Sequence, residues 1–334
     1  MLDEPSLWVL IVVIFLALGF GIVNGFNDAA NAIATVIGTR TLSPRNAIIM
    51  AAFFNMAGAA TGTAVARTIG KGILSPDAVS FQTVIAALAA VIIWTSLATY
   101  RGLPVSLTHG FIAAMAAAGV AAAGSDAVNW GMLGTVASAI LTAPVLGFIG
   151  GFLTMVLLMW LFRKSIPIKV RNVFGRLQIV SAAFMAYSHG KNDGQMPIGI
   201  ITMAFVLYTG QTAMWDSIPW WIIVISALSI SLGTAVGGWR VIKTLGTRIT
   251  TLRPVHGFAA EASAASVIEL ASHLGIPVST THCISSSIMG VGATRRLSAV
   301  RWGVASDILA AWIITFPICG GLGYFFSWLI GLFT

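Results

Sequence analysis

The chain has 334 residues, 57% of them hydrophobic and only 8% charged, where a soluble domain carries about 25%. So few charges cannot solvate a soluble fold of this size, and apolar runs near the ~20 residues needed to cross a ~30 Å bilayer core point to a polytopic membrane protein. The net charge of +8 comes from basic residues in short loops between those runs, where they report orientation and exclude a nucleic-acid reading. Cys283 and Cys319 fall inside apolar runs, as small buried hydrophobes without disulfide or metal-ligand spacing.

In chain order the expected segments cover 6–38, 45–66, 79–100, 104–123 and 130–162, then 177–208, 219–238, 254–274, 277–293 and 302–333. The first follows Asp3 and Glu4 with no lysine or arginine ahead of it, which marks a span and not a cleavable signal peptide. Residues 1–162 make one half, 163–176 a basic cytoplasmic linker and 177–334 the second half. Arg163, Lys164, Lys169, Arg171 and Arg176 lie in that linker; Arg240, Lys243, Arg248 and Arg253 form a second basic stretch, and Arg295, Arg296 and Arg301 a third. Asp3, Glu4, Asp77, Asp126 and Asp216 fall in the other loops. With both termini outside a cell (inner) membrane, all three basic stretches face the cytoplasm, leaving Arg67 and Lys71 as exceptions near the outer face.

The chain repeats itself. Gly25-Phe26-Asn27-Asp28 returns as Gly190-Lys191-Asn192-Asp193, and Gly102-Leu-Pro-Val-Ser-Leu-Thr-His109 returns as Gly275-Ile-Pro-Val-Ser-Thr-Thr-His282, identical at six of eight positions. Pro144 and Pro317 follow at the same distance from the two motif glycines. An odd number of crossings per unit turns the second copy over, so the fold class expected is an all-α integral membrane protein of two inverted five-segment halves, the topology of secondary transporters. The segment ahead of each Pro-Val-Ser motif is either a full crossing or the first arm of a re-entrant hairpin, and the parity is the same for both.

Each Asn-Asp pair lies near the middle of a segment more than 30 residues long. An aspartate at a helix centre in lipid costs about 2.5 to 3.5 kcal/mol, so Asp28 and Asp193 are expected to face a polar cavity or an ion. Gly25, Gly190 and Gly194 are expected to unwind the helices there and free backbone groups as ligands. A single Asn-Asp pair serves equally well as helix glue, but two copies at matched places favour a cation site. Asn27, Asp28, Asn31, Asn192 and Asp193 are accordingly the candidate cation or coupling residues. Glu261, eight residues before Glu269 and near the same helical face, joins them as a candidate proton carrier.

The Pro-Val-Ser motifs read as helix starts with proline in the first turn, presenting Ser106, Thr108, Ser279, Thr280 and Thr281 beside free backbone N–H groups as an anion site. Isolated hydroxyls more often bond back to their own helix; a duplicated cluster favours binding. Gln195 and Lys191, beside the second Asn-Asp pair, complete the substrate-binding candidates. The Lys191 ammonium is expected mid-membrane, paired with Asp193 or with substrate. His109, His189 and His282 are read as structural hydrogen-bonding residues, without metal-ligand spacing.

The strings Gly25-Phe-Asn-Asp-Ala-Ala-Asn-Ala32 and Ser188-His-Gly-Lys-Asn-Asp-Gly-Gln195, with the two Pro-Val-Ser-x-Thr-His motifs, resemble the PiT family of inorganic phosphate transporters over nearly the whole chain. The resemblance implies a symporter that moves inorganic phosphate with protons or sodium, and in some bacterial relatives a divalent metal travels with the phosphate; no cofactor is implied. It also implies that Asn27, Asp28, Asn192 and Asp193 belong to the cation and substrate region, with the five motif hydroxyls holding phosphate at the tips of facing helices. The chain lacks the large cytoplasmic loop of animal members and looks like a short bacterial form, with membrane lipid as a partner and a homodimer left open. Two departures stand out: Leu107 replaces the usual Ser or Thr, and Lys191 occupies a usually small or polar position.

Three other classes compete. A permease for sulfate or another tetrahedral oxyanion would use the same fold, but two carboxylates favour phosphate, which keeps a proton to donate near neutral pH. A passive anion channel is disfavoured by the inverted repeat, and an intramembrane enzyme by the geometry of Ser188, His189 and Asp193, whose neighbours on one helix point in different directions. For the topology, single cysteines near Lys169, Arg248 and Ser298 are expected to react with an impermeant thiol reagent from the cytoplasmic side only, and those near Asp77, Asp126 and Asp216 from outside only. Labelling of Lys169 and Arg248 positions from opposite sides would contradict the inversion.

Overall fold

The computed structural model describes residues 6–333; Asp3 and Glu4, assigned above to an outer segment, lie outside them. The described residues form thirteen α-helices with short 3-10 turns, and their only β pairing is an isolated bridge between Leu74 and Val128. Helix α1 (Leu7–Gly38) runs unbroken through Asn27 and Asp28. Gly194 alone separates α7 (Pro167–Asp193) from α8 (Gln195–Thr209); it keeps helical angles, φ −66° and ψ −19°, and its N–H donates to Gly190 O at 2.9 Å. The unwinding expected at the Asn-Asp pairs is therefore absent.

The glycines serve a different purpose. A Cβ on Gly25 would lie 2.0 Å from Ile230 O, and one on Gly233 the same distance from Ile22 O. A Cβ on Gly190 would lie 2.1 Å from Asn55 O, and one on Gly58 2.0 Å from Tyr187 O. Two helix pairs thus cross backbone against backbone, α1 on α9 (Trp220–Val236) and α7 on α2 (Pro44–Ala59), as small residues permit in lipid.

The breaks fall one segment later in each half. Helix α2 meets α3 (Ala64–Lys71) at 71°, and α9 meets α10 (Trp239–Lys243, continued by a π turn to Arg248) at 63°. Thr61-Gly62-Thr63 and Gly237-Gly238 form the two joints, with Gly237 at φ +69°. Helix α7 also begins at Pro167, within the 163–176 stretch read as linker, because proline suits a first helical turn.

Helices α4 (Phe81–Arg101) and α5 (Leu107–Ala123) double back on each other: Gln82, at the start of α4, and Ala118, near the end of α5, both bond Ser327, at 2.6 and 2.9 Å. Helices α11 (Pro254–His273) and α12 (Thr280–Ala293) do the same, with Ser287 Oγ donating to Ala260 O at 3.0 Å. Each hairpin turns at a left-handed glycine, Gly102 or Gly275. With 17 and 14 residues, α5 and α12 are about 26 and 21 Å long, short of a bilayer core, whereas α4, with 21 residues, has the length to cross one. Helices α6 (Trp130–Leu161) and α13 (Trp302–Gly331) are long and carry Pro144 and Pro317 inside them. Four helices, α1, α4, α6 and α13, are individually long and apolar enough to cross a membrane, and the bent pairs raise that number to six.

The halves interlock. Helix α5 packs on α13 and α12 on α6, while the bent segment of each half grips the hairpin turn of the other. Thr68 of α3 donates to Gly275 O at 2.8 Å, and Thr244, just after α10, to Gly102 O at 2.9 Å. Gly58→Leu is expected to force the α2/α7 crossing apart, costing about 1–3 kcal/mol or more and lowering the thermal midpoint in detergent by several degrees. Gly19, with open space where a Cβ would go, should tolerate alanine without loss.

Candidate functional site

Both hairpin tips end on carboxylates of the opposite half. Thr108 Oγ1, at the start of α5, donates to Asp193 Oδ1 at 2.8 Å, and the matching Thr281 of α12 donates to Asp28 Oδ1 at 3.0 Å. Thr280 adds a bond to Asp193 Oδ2 at 2.7 Å; its counterpart is Leu107, which has none to make. Asn31 Nδ2 reaches Thr280 and Thr281 hydroxyls at 3.1 and 2.9 Å, and Asn192 Nδ2 reaches Val278 O at 2.7 Å and Asp193 Oδ1 at 3.1 Å. Every one of these side chains is buried.

His189 lies between the two aspartates. Its Nε2 is 3.3 Å from Asp193 Oδ2 and 3.7 Å from Asp28 Oδ2, while Nδ1 meets Asn55 Oδ1 at 2.8 Å. One ligand atom from each of Asp28, His189 and Asp193 falls within a 4.8 Å cluster, an oxygen–nitrogen–oxygen set able to hold a cation. On the same stretch of α1 as Asp28 are three buried acceptors that no donor of the described residues reaches, Asn24 Oδ1, Asn27 Oδ1 and Asn31 Oδ1. Hard cations take such oxygens. Asn27 Nδ2 donates to Thr99 at 2.6 Å, and the repeat mirrors the contact with Ser272 Oγ donating to Asn192 Oδ1 at 3.4 Å.

Ser106 and Ser279 are N-caps: their hydroxyl oxygens accept the backbone N–H groups of His109 and His282 at 3.3 and 3.1 Å. Pro104 and Pro277 precede these caps in non-helical backbone, which corrects the expectation of proline in the first turn. The remaining first-turn N–H groups of α5 and α12 have no helical acceptor and point the positive ends of both helices at the tips.

Three candidates lie apart from this cluster. Lys191 pairs with Glu269 and not with Asp193, because on a helix position 191 projects away from the face shared by 189 and 193. The Gln195 carbonyl caps α3, accepting from Val65 and Ala66 N–H at 2.9 and 3.2 Å. Glu261 of α11 accepts from Thr35 and Ser181 and, at 3.3 Å, from Gln178, and Thr35 lies about 10 Å along α1 from Asp28. His109 and His282 meet ring to ring, 4.9 Å between centroids, with His282 stacked on Trp312 at 3.8 Å. Their ring nitrogens bond no described residue, so the hydrogen-bonding role expected for them is not the one seen.

His189 and Asn24 were not among the sequence candidates for this site. The signal was present: they are repeat counterparts, each four residues before an aspartate, hence on its helical face.

A family model described as the phosphate transporter family (PHO4) matches residues 24–170 and 162–323. The chain is 44% identical over 315 residues to a probable low-affinity inorganic phosphate transporter of Bacillus subtilis, with 94% of each chain covered. It is 43% identical over 310 residues to one of Rhizobium meliloti, with 92% of each covered. A solved structure named the sodium-dependent phosphate transporter superposes with a TM-score of 0.91 at 28% identity, over 98% of this chain and 100% of its own. Within the cluster, Thr280→Val removes a hydrogen bond to a charged group, about 1.5–3 kcal/mol. Detergent melting curves should show a larger loss for it than for Leu107→Val at the matching tip position.

Proposed function

We propose, from the premise that this chain belongs to the phosphate transporter family, that it is a secondary active symporter of inorganic phosphate working by alternating access. The observation that carries this is the convergence of the duplicated motifs: two aspartates, one from each half, hold the hydroxyls of both hairpin tips in one buried polar cluster. Phosphate would sit at the tips, on the N-terminal ends of α5 and α12 and the hydroxyls of Thr108, Thr280 and Thr281, with Ser106 and Ser279 shaping the turns. The coupling cation would sit at Asp28 and Asp193, with Asn27, Asn31 and Asn192 as neighbours, and neutralise the carboxylates that otherwise repel an anion. Because the relatives are transporters, the enzyme reading falls away.

Two coupling ions are supported by separate observations. Sodium is supported by the name of the structural neighbour and by Lys191, which is drawn off to Glu269 and leaves the cluster without a built-in cation. A proton is supported by His189, a titratable group between the carboxylates. The set would also take a divalent ion carried with the phosphate as cargo.

Counterflow and uptake of labelled phosphate in proteoliposomes, with sodium and proton gradients imposed separately and sulfate as competitor, tests the assignment. Asp28→Asn and Asp193→Asn should each abolish gradient-driven uptake while leaving yield and fold largely intact, since an amide preserves hydrogen bonding but not charge. Near-normal uptake in both variants would remove the aspartates from the mechanism. Lys191→Ala should leave the ion dependence unchanged.

A further inference from the structure

Each hairpin lies against the long proline-bearing helix of the other half, and the two contacts are filled differently. At the first, Trp94 of α4 covers α13: its Nε1–H donates to Thr315 Oγ1 at 3.0 Å, and Thr315 is only 1% exposed. Trp312 and Phe316, also on α13, stack on His282 and His109. Aligning Gly102 with Gly275 matches Trp94 to Val267, Thr315 to Thr142, and Trp312 and Phe316 to Ala139 and Ala143. The contact between α11 and α6 therefore has small side chains in place of all three rings, and Thr142 is exposed where Thr315 is covered.

The space the rings would fill is open. A furrow of about 410 Å³ runs between α6 and α11, with Val267, Ala139, Thr142 and Ala143 in its walls and Val278 of the hairpin turn at its edge. On α6 it extends from Thr135 to Leu146, about 16 Å along the helix, or half the depth of a ~30 Å bilayer core. Thr135 follows the exposed Trp130 by little more than one helical turn, and a tryptophan at a span's end marks the headgroup level.

The chemistry of the walls selects the occupant. Every lining residue is aliphatic or carries a hydroxyl, and three of the hydroxyls are turned back on their own helices. Thr135 donates to Gly131 O, Ser138 to Thr135 O and Ser266 to Ala262 O, at 3.2, 2.7 and 2.8 Å. Water needs two to four polar partners to stay in such a space, and an unfilled one forfeits dispersion contacts along both walls. The mouth is continuous with the surface that faces the bilayer, where Leu270 and Leu274 are each 63% exposed.

We infer that this furrow is a binding site for one acyl chain of a membrane phospholipid, seated where the Trp94 indole sits in the other contact. A methylene chain suits a long, narrow space walled by alanine, valine and leucine, and the depth of one leaflet matches the length of the furrow. The bilayer thus supplies the seal between α11 and α6, whereas the chain's own indole supplies the seal between α4 and α13. The inference does not depend on the cargo carried.

The test is photolabelling in proteoliposomes by a phosphatidylglycerol with a diazirine in one acyl chain, read by peptide mapping, for the parent, Val267→Trp and Trp94→Val. In the parent, label at Ser266 and Leu270 should exceed that at Ile313, a lipid-facing residue of α13 that is 70% exposed, by about tenfold. Val267→Trp should lose that excess, and Trp94→Val should acquire label at Ile93 and Leu97, the counterparts of Ser266 and Leu270. If Trp94→Val does not fold, melting in detergent decides with the other variant: added phosphatidylglycerol should raise the midpoint of the parent by several degrees more than that of Val267→Trp. Label at Ser266 and Leu270 no higher than at Ile313 would mean general lipid contact only and overturn the site. So would a Val267→Trp variant labelled and stabilised like the parent, or an unlabelled furrow in which Leu270→Cys crosslinks to a second copy of the chain.

Discussion

The exchange of hydrogen bonds between Thr108 and Asp193 and between Thr281 and Asp28 is the constraint on which the interior depends. Each links a hairpin tip of one half to a long helix of the other, so neither tip can move without releasing a charged partner. Bonds to a charged group are worth about 1.5–3 kcal/mol apiece, and a buried charge that loses a partner is left desolvated. The neighbouring bonds are arranged to hold this exchange in place. Thr68 and Thr244 fix the hairpin turns from outside, and the glycine crossings bring α1 and α7 near enough for both carboxylates and His189 to share one space. Transport by alternating access would require the two exchanges to be broken in turn, with a cation or phosphate taking over the released partner.

The duplication made most of this legible in advance. Matched motifs located both aspartates, the hydroxyl tips and the proline-bearing last helices. The glycines beside the aspartates were the point of failure: next to a buried carboxylate, glycine marks either an unwound turn or a close crossing. Only the partner backbone at Ile230 or Asn55, far away in sequence, decides between them. The same limit hid the joints at Thr61-Gly62-Thr63 and Gly237-Gly238, where bending is imposed by contact with the opposite hairpin. Lys191 and Gln195 show a simpler limit, since adjacency in sequence to an aspartate says nothing of direction. One step along a helix turns a side chain by about 100°, and that step carries Lys191 to Glu269 and away from the site.

The differences between the halves carry as much meaning as their likeness. Asn24 answers to His189, Leu107 to Thr280 and Leu88 to Glu261. Each replacement puts the polar or titratable member in the second half, although the helices themselves pack alike. In the alternating-access reading proposed above, symmetry of the backbone would serve two equivalent access states, and asymmetry of the side chains would give them different affinities for the same cargo. Asp193, with two hydroxyls from two tips, is held more firmly than Asp28, with one.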